Sequence, residues 1–159
     1  MAQTEAFRLE RADASRLDAL LPLVRGYHEF EHVHMSDADR AAAIAPLLEP
    51  DSPLGCIWLI HSAGGAAGAA VGYVALCFGY SIEFRGRDSF VDEFFLVESA
   101  RGRGLGSRVL DRVKTEARAL GIAALHLEVA RDNARARKLY EKWGFGAREQ
   151  FTLMSCSLL

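Results

Sequence analysis

The sequence predicts one α/β domain on a mixed sheet, and three observations carry that expectation. Apolar, strand-like runs at residues 56–60 and 71–78 flank a glycine-rich turn at 62–67, the pattern of an antiparallel hairpin. That early hairpin argues against a doubly wound parallel sheet. In the second half, strand-like runs alternate with two strongly periodic helical stretches. The chain has 159 residues, half of them apolar and a quarter charged, enough to bury one core without disulfide staples.

Each element has its own local cause. Residues 7–11 alternate as a short strand. Asp13 or Ser15 can then cap a helix whose apolar positions Leu17, Leu20, Leu21, Val24 and Tyr27 share one face. Ser36, with Asp39 three residues on, starts a second helix running to about Leu48, where Pro50 and Pro53 stop it. Residues 90–97 are apolar on both faces except for Asp92 and Glu93, as in a central strand. Residues 104–120 form the clearest helix, with Leu105, Val109, Val113, Ala117 and Leu120 on one side and Gly121 at its end. Residues 125–129 read as a strand. A helix over 134–143 follows, with Ala136, Leu139, Tyr140 and Trp143 on one side and Gly144 as its cap; residues 151–158 read as a last strand.

Composition excludes a disordered tail protein and a collagen-like repeat. The N-terminus lacks the apolar core of a secretory signal, and the weakly apolar stretch at 66–78 is too short to span a bilayer. Cys56, Cys77 and Cys156 are far apart and odd in number, which reads as isolated core thiols. A cytoplasmic protein with no membrane and no nucleic-acid partner is expected. The net charge of −2 conceals an asymmetry: residues 1–100 carry seven Lys and Arg against fifteen Asp and Glu, residues 101–148 twelve against five. Such a division suits an anionic ligand for the second half and a cationic one for the first, or solvated helix faces in both.

The chemistry concentrates after the acid-bearing strand, in Glu98-Ser-Ala-Arg101-Gly102-Arg103-Gly104-Leu105-Gly106-Ser107. Glycines let the backbone turn tightly and let a ligand approach the main chain. The N–H groups and dipole of the following helix favour negative charge, to which Arg101 and Arg103 add. A pyrophosphate fits best. A dinucleotide fold is weakened because only 53 residues follow Gly106, too few for its remaining units. A P-loop fails because no Lys-Ser/Thr follows the last glycine.

Arg101-x-x-Gly104-x-Gly106, between that strand and an amphipathic helix, resembles the acetyl-CoA signature of the GNAT N-acetyltransferases. Asn133-x-x-Ala136-x-x-x-Tyr140-x-x-x-Gly144-Phe145 is similar to the family's other motif helix. Tyr27-His-Glu-Phe-Glu31, Val71-Gly-Tyr73 and Asp92-Glu-Phe-Phe95 most resemble the diamine and polyamine (spermidine/spermine-type) acetyltransferases. The resemblance implies a GNAT-like mixed, mostly antiparallel central sheet of six to seven strands flanked by about four helices. It also implies acetyl-CoA as co-substrate, a small-molecule amine as acceptor and a homodimer, which the final strand would join; the spacing of the histidines leads to no metal being expected.

The resemblance further implies that acetyl-CoA enters where two central strands splay apart. Backbone groups around Phe95, Leu96 and Val97 would bond the pantetheine arm. Arg101, Gly102, Arg103, Gly104, Leu105, Gly106 and Ser107 would hold the pyrophosphate. Asn133, Arg135 and Lys138 are further cofactor-binding candidates; Arg135 and Lys138 could equally be solvated helix charges. Tyr140 takes the role of general acid toward the leaving CoA sulfur, against the plainer role of a core tyrosine.

Asp92 and Glu93 are adjacent on a strand and so are expected to face opposite sides. A carboxylate on a buried strand is costly unless paired or functional. A protonated amine must lose a proton before it attacks, and one of these acids can accept it while the other anchors a second cationic group. Tyr27, Glu29 and Glu31 are candidates to line the acceptor pocket. His28 and His32 share a helix face without a third metal ligand at firm spacing. An acetyl-cysteine route is disfavoured, as no cysteine lies near either motif. A non-catalytic acyl-CoA sensor and a protein-lysine or N-terminal acetyltransferase are the alternatives.

Overall fold

Five strands pair in chain order: β1 (Phe7–Arg11), β2 (Gly55–Ser62), β3 (Ala70–Ser81), β4 (Gly86–Leu96) and β5 (Ala124–His126). The first three junctions are antiparallel and the β4–β5 junction is parallel. The computed structural model describes residues 6–62 and 68–158, so the glycine-rich turn expected at 62–67 lies largely outside the described residues. Contacts divide the chain into two compact units, Met1–Glu128 and Val129–Leu159, and each is described by itself.

In the first unit the period-2 alternation of the central strands sorts two cores. Cys56, Trp58, Ile60, Val74 and Leu76 face α3 (Leu105–Ala119), which contributes Leu105, Val109, Val113 and Ala117. Ile57, Leu59, Tyr73 and Ala75 face α1 (Leu17–Phe30) and α2 (Asp37–Ile44), which contribute Leu20, Leu23, Val24 and Ile44. Fully buried leucines such as Leu20 and Leu59 each stabilise the fold by about 1.5–3 kcal/mol.

The helix starts follow their caps. Asp13 accepts the Ser15 N–H at 2.9 Å and opens a 3-10 turn that runs into α1. Ser36 Oγ accepts the Asp39 N–H at 3.1 Å and donates to the Asp39 carboxylate at 2.6 Å. The second helix is shorter than expected: α2 ends at Ile44 and tightens into a 3-10 turn, Ala45–Leu47, where Pro46 offers no N–H for an α-helical bond.

Two strand expectations are corrected. Residues 125–129 supply only the tail of the three-residue β5, and residues 151–158 form no strand, so the described residues build a sheet of five strands rather than six or seven. Alternation is a local signal, whereas a strand needs a partner ladder. No described strand pairs with residues 151–158, and Phe151, Leu153 and Met154 are exposed. In the second unit, α4 (Ala134–Lys142) starts at Asn133, whose side chain accepts the Ala136 N–H at 3.1 Å. It ends before Gly144, which takes a left-handed φ of 87°.

Candidate active site

The site begins with an irregularity in β4. Ala75 of β3 pairs with Glu93 and Leu76 with Val91, so Asp92 is an extra residue bulged out of the ladder. The bulge resets the alternation: Val91 belongs to the α3 core, while Glu93 bonds to residues of the α1 side. Asp92 accepts a hydrogen bond from the thiol of Cys77, which shares the strand face of Tyr73 and Ala75. Both acids therefore look toward the α1 side, and the expectation that they face opposite sides is overturned. Opposite faces require an unbroken pleat, and one inserted residue breaks it.

Glu93 sits at the inner end of a chain of polar contacts that runs from the core to the surface. Tyr73 OH donates to its Oε2 at 2.6 Å, and His28 Nε2 lies 2.8 Å from its Oε1. Arg40 Nε donates to His28 Nδ1 at 3.1 Å, and Arg40 also bonds Asp37 at 2.8 Å. Asp37 in turn pairs with Arg25, whose guanidinium holds the carboxyl below its ordinary range. Burial, then the Glu93 charge, pushes the Tyr73 phenol far up, so it stays a neutral donor.

The sequence reading missed His28 as a structural partner, together with Arg40 and Tyr73. Their signal was a polar residue on an apolar repeat. His28 continues the Leu20–Val24 spacing of α1, and Arg40 begins a four-residue spacing with Ile44 and Leu48. Both ring nitrogens of His28 have protein partners, so its shared helix face with His32 is not what places it.

The second part of the site lies where β4 outruns its neighbour. The parallel ladder joins only residues 88–90 of β4 to β5; residues 91–96 border β3 on one edge and no described strand on the other. The chain then enters the glycine turn, with φ of 81° at Gly102 and 75° at Gly104. Gly104 is the N-cap of α3 and supplies no side-chain cap, so the helix presents its first amides without a side-chain acceptor. A Cβ at Gly104 would meet nothing within 4 Å, and one at Gly106 nothing nearer than 3.7 Å. The fold needs glycine at 104 for its left-handed backbone, but packing does not require it at 106. An open helix N-terminus of this kind fits a pyrophosphate.

Not every expected residue points into that cradle. Arg101 donates from Nε to Leu96 O at 2.7 Å, and its guanidinium lies over the rings of Phe95 and Phe30. Val97 N–H donates to Val71 O at 2.9 Å, so backbone groups at both Leu96 and Val97 are engaged within the fold. Arg103 is exposed beside the turn, Leu105 is buried in the α3 core and Ser107 is half-buried. Tyr27 joins the cluster, with its ring edge-on to Tyr73 and Phe95. Glu29 and Glu31 are exposed, and the charge of Glu29 acts on Arg25.

In the second unit, Asn133 is spent on capping α4, while Arg135 and Lys138 lie exposed on that helix. Tyr140 is half-buried against the Phe145 ring at 5.8 Å. Cys77 lies beside Asp92, outside both motifs, and burial and then Asp92 push its thiol up to about 12; burial pushes Cys56 up to about 11. Cys156 is exposed rather than a core thiol.

Fold and site together define a protein that can receive a phosphate-bearing ligand at a helix N-terminus, beside a strand carrying a partnered carboxylate. The chain matches the model of the acetyltransferase (GNAT) family over residues 17–145, and it belongs to that family. An IAA acetyltransferase of Azospirillum brasilense is 39% identical over 80 residues, which is 50% of this chain and 52% of that protein. The chain thus matches about half the length of that curated relative. Among solved structures, an integron cassette protein from the Cole Harbour Salt Marsh metagenome superposes with a TM-score of 0.78 at 30% identity, covering 95% of this chain and 90% of its own. An aminoglycoside N-acetyltransferase in complex with CoA superposes with a TM-score of 0.77 over 100% of this chain and 99% of its own; at 14% identity it shares the fold.

Proposed function

We propose that this protein is an acetyl-CoA-dependent N-acetyltransferase that moves an acetyl group to a primary amine, a small cationic one, by direct attack in a ternary complex. The observation that carries this reading is the pairing of an uncapped, glycine-turned α3 N-terminus with two carboxylates on one face of the adjoining strand. The α3 amides and Arg103 bind the pyrophosphate of acetyl-CoA, whose thioester supplies the activated acetyl group. CoA bound to an aminoglycoside N-acetyltransferase of the same fold supports that assignment.

The acceptor arrives as an ammonium ion. Its surplus proton passes to Glu93, directly or through one water, leaving a neutral amine whose lone pair can attack. Asp92 and the acidic surplus of residues 1–100 draw a cation to the site. Tyr140, by its place in the second motif, returns a proton to the departing sulfur. The Cys77 thiol, held protonated, favours direct transfer over an acyl-cysteine route.

The test is thiol release from acetyl-CoA across a panel of diamines, polyamines, monoamines, aminoglycosides and one lysine-bearing peptide. Turnover with di- or polyamines supports the reading. Turnover confined to the peptide or to uncharged amines overturns the acceptor class. CoA binding with no turnover on any of them makes the protein a sensor of the same fold.

A further inference from the structure

The Glu93 cluster contains more polar machinery than a carboxylate on a strand needs to stay solvated. His28 and Arg40 are 6% and 7% exposed, and their contacts run in one direction, from Arg40 to His28 to Glu93. An arginine side chain has donors only, so the Arg40 Nε–H requires a lone pair at His28 Nδ1. The single ring proton of His28 must then sit on Nε2, where it donates to Glu93 Oε1. The opposite tautomer would set N–H against N–H at Arg40 and lone pair against carboxylate at Glu93. With Tyr73 OH on the other oxygen, the Glu93 carboxylate is held by one donor on each oxygen. Asp37 and Arg25 hold Arg40 from outside. A buried arginine is expensive, and a Met or Leu of similar size would be the cheaper neighbour for Ile44 and Leu48.

We infer that His28 and Arg40 are positioning residues for Glu93: Arg40 fixes the Nε2–H tautomer of His28, and His28 fixes the carboxylate that takes the ammonium proton. This rests on the reading of Glu93 as the base, and it selects Glu93 over Asp92. Asp92 is an exposed bulge residue whose described partner is a thiol, whereas Glu93 is oriented before the substrate arrives. In the step itself one amine N–H bond breaks, its proton adds to Glu93 to give the neutral acid, and His28 keeps its own proton throughout. Pre-orientation of this kind lowers the barrier without altering how acetyl-CoA binds.

The test compares His28→Leu, His28→Gln and Arg40→Met in wild-type and Glu93→Gln backgrounds, using an acceptor found in the thiol-release panel. His28→Leu lowers kcat about 10- to 100-fold, the range typical of partners that orient a functional group, with KM for acetyl-CoA held within about twofold. His28→Gln, whose amide N–H reaches the former Nε2 position, recovers most of that loss. In the Glu93→Gln background His28→Leu costs nothing further, because its only route to the chemistry is gone. Imidazole 15N spectra at pH 7 show an unprotonated Nδ1 at His28 in the wild type, and a changed pattern in Arg40→Met. A protonated Nδ1 in the wild type overturns the positioning role even if His28→Leu fails to fold. So does an equal loss from His28→Leu in both backgrounds, which marks simple packing. Glu93→Gln turning over at the wild-type rate overturns the reading of Glu93 as base, and this inference with it.

Discussion

Val91 and Glu93 stand two positions apart on β4 yet belong to opposite sides of the sheet, Val91 among the α3 core and Glu93 bonded to His28 of α1. A regular strand would give them one face. Asp92, the residue bulged between them, makes the difference and so decides where the carboxylate points.

Asp92 should therefore be removable without moving its neighbours across the sheet. Deleting it brings Val91, paired with Leu76, directly before Glu93, paired with Ala75, so the pleat becomes regular with Val91 and Leu96 still on the α3 side and Glu93 still on the α1 side. The deletion and Asp92→Ala, which keeps the bulge, should both unfold within about 1 kcal/mol of wild type. Urea unfolding of the two variants checks this; a deletion variant far less stable than Asp92→Ala would show that the fold needs the bulge itself.

Gly106 offers a way to separate folding from ligand binding. Its Cβ would touch Leu96 and Phe94 only at ordinary contact distance, and it lies in the first turn of α3. Gly106→Ala should leave the protein at least as stable as wild type, since alanine is the better helix former by about 1 kcal/mol. If the uncapped first-turn amides hold the phosphates, a side chain added in that turn crowds the ligand, so the Kd for CoA should rise about tenfold or more, a loss of at least ~1.4 kcal/mol. Calorimetric binding together with a thermal melt reads both. An unchanged Kd would place the phosphate elsewhere. Gly104→Ala provides the contrast, because its left-handed φ of 75° makes any side chain cost stability, by about 1 kcal/mol.

Much of this fold is legible in the chain because its signals are local and redundant. Leu105, Val109, Val113 and Ala117 repeat at helical spacing, and Ser36 and Asp13 cap where a cap is needed. The glycine turn marks the α3 N-terminus by its residue types alone. What was not legible depends on partners distant in sequence. The bulge at Asp92 exists only against the register of β3, and residues 151–158 carry apolar side chains without a ladder to join. His28, Arg40 and Glu93 come from three elements and up to 65 positions apart, so no spacing rule brings them together. Arg101 was legible as a charge next to the cradle, but its use as a clamp on Leu96 O and Phe95 was not.

The thiols make a sharp chemical prediction. With Cys77 pushed up to about 12 and Cys56 up to about 11, both remain protonated at pH 8, while Cys156 is exposed. Iodoacetamide on the native protein should label Cys156 alone, read by peptide mass spectrometry. Incubation with acetyl-CoA should leave no acetyl thioester on Cys77, and Cys77→Ala should keep kcat within about threefold, since it removes only one weak donor to Asp92. A stable acetyl adduct on Cys77 would instead route the transfer through the protein.

Tyr140→Phe tests the other end of the reaction. The ring of Tyr140 packs edge-on against Phe145 within its own unit, and its backbone oxygen accepts the Phe145 N–H at 3.0 Å. Removing the hydroxyl leaves both of these contacts in place. If the phenol delivers the proton to the departing sulfur, kcat falls about 100-fold while the Kd for CoA is unchanged. The deficit should also depend on the leaving thiol. An acetyl thioester of a more acidic thiol departs as the thiolate with less help, so the variant should approach wild-type rates on such a donor. A deficit of the same size on both donors would mean that the hydroxyl acts on something other than the sulfur.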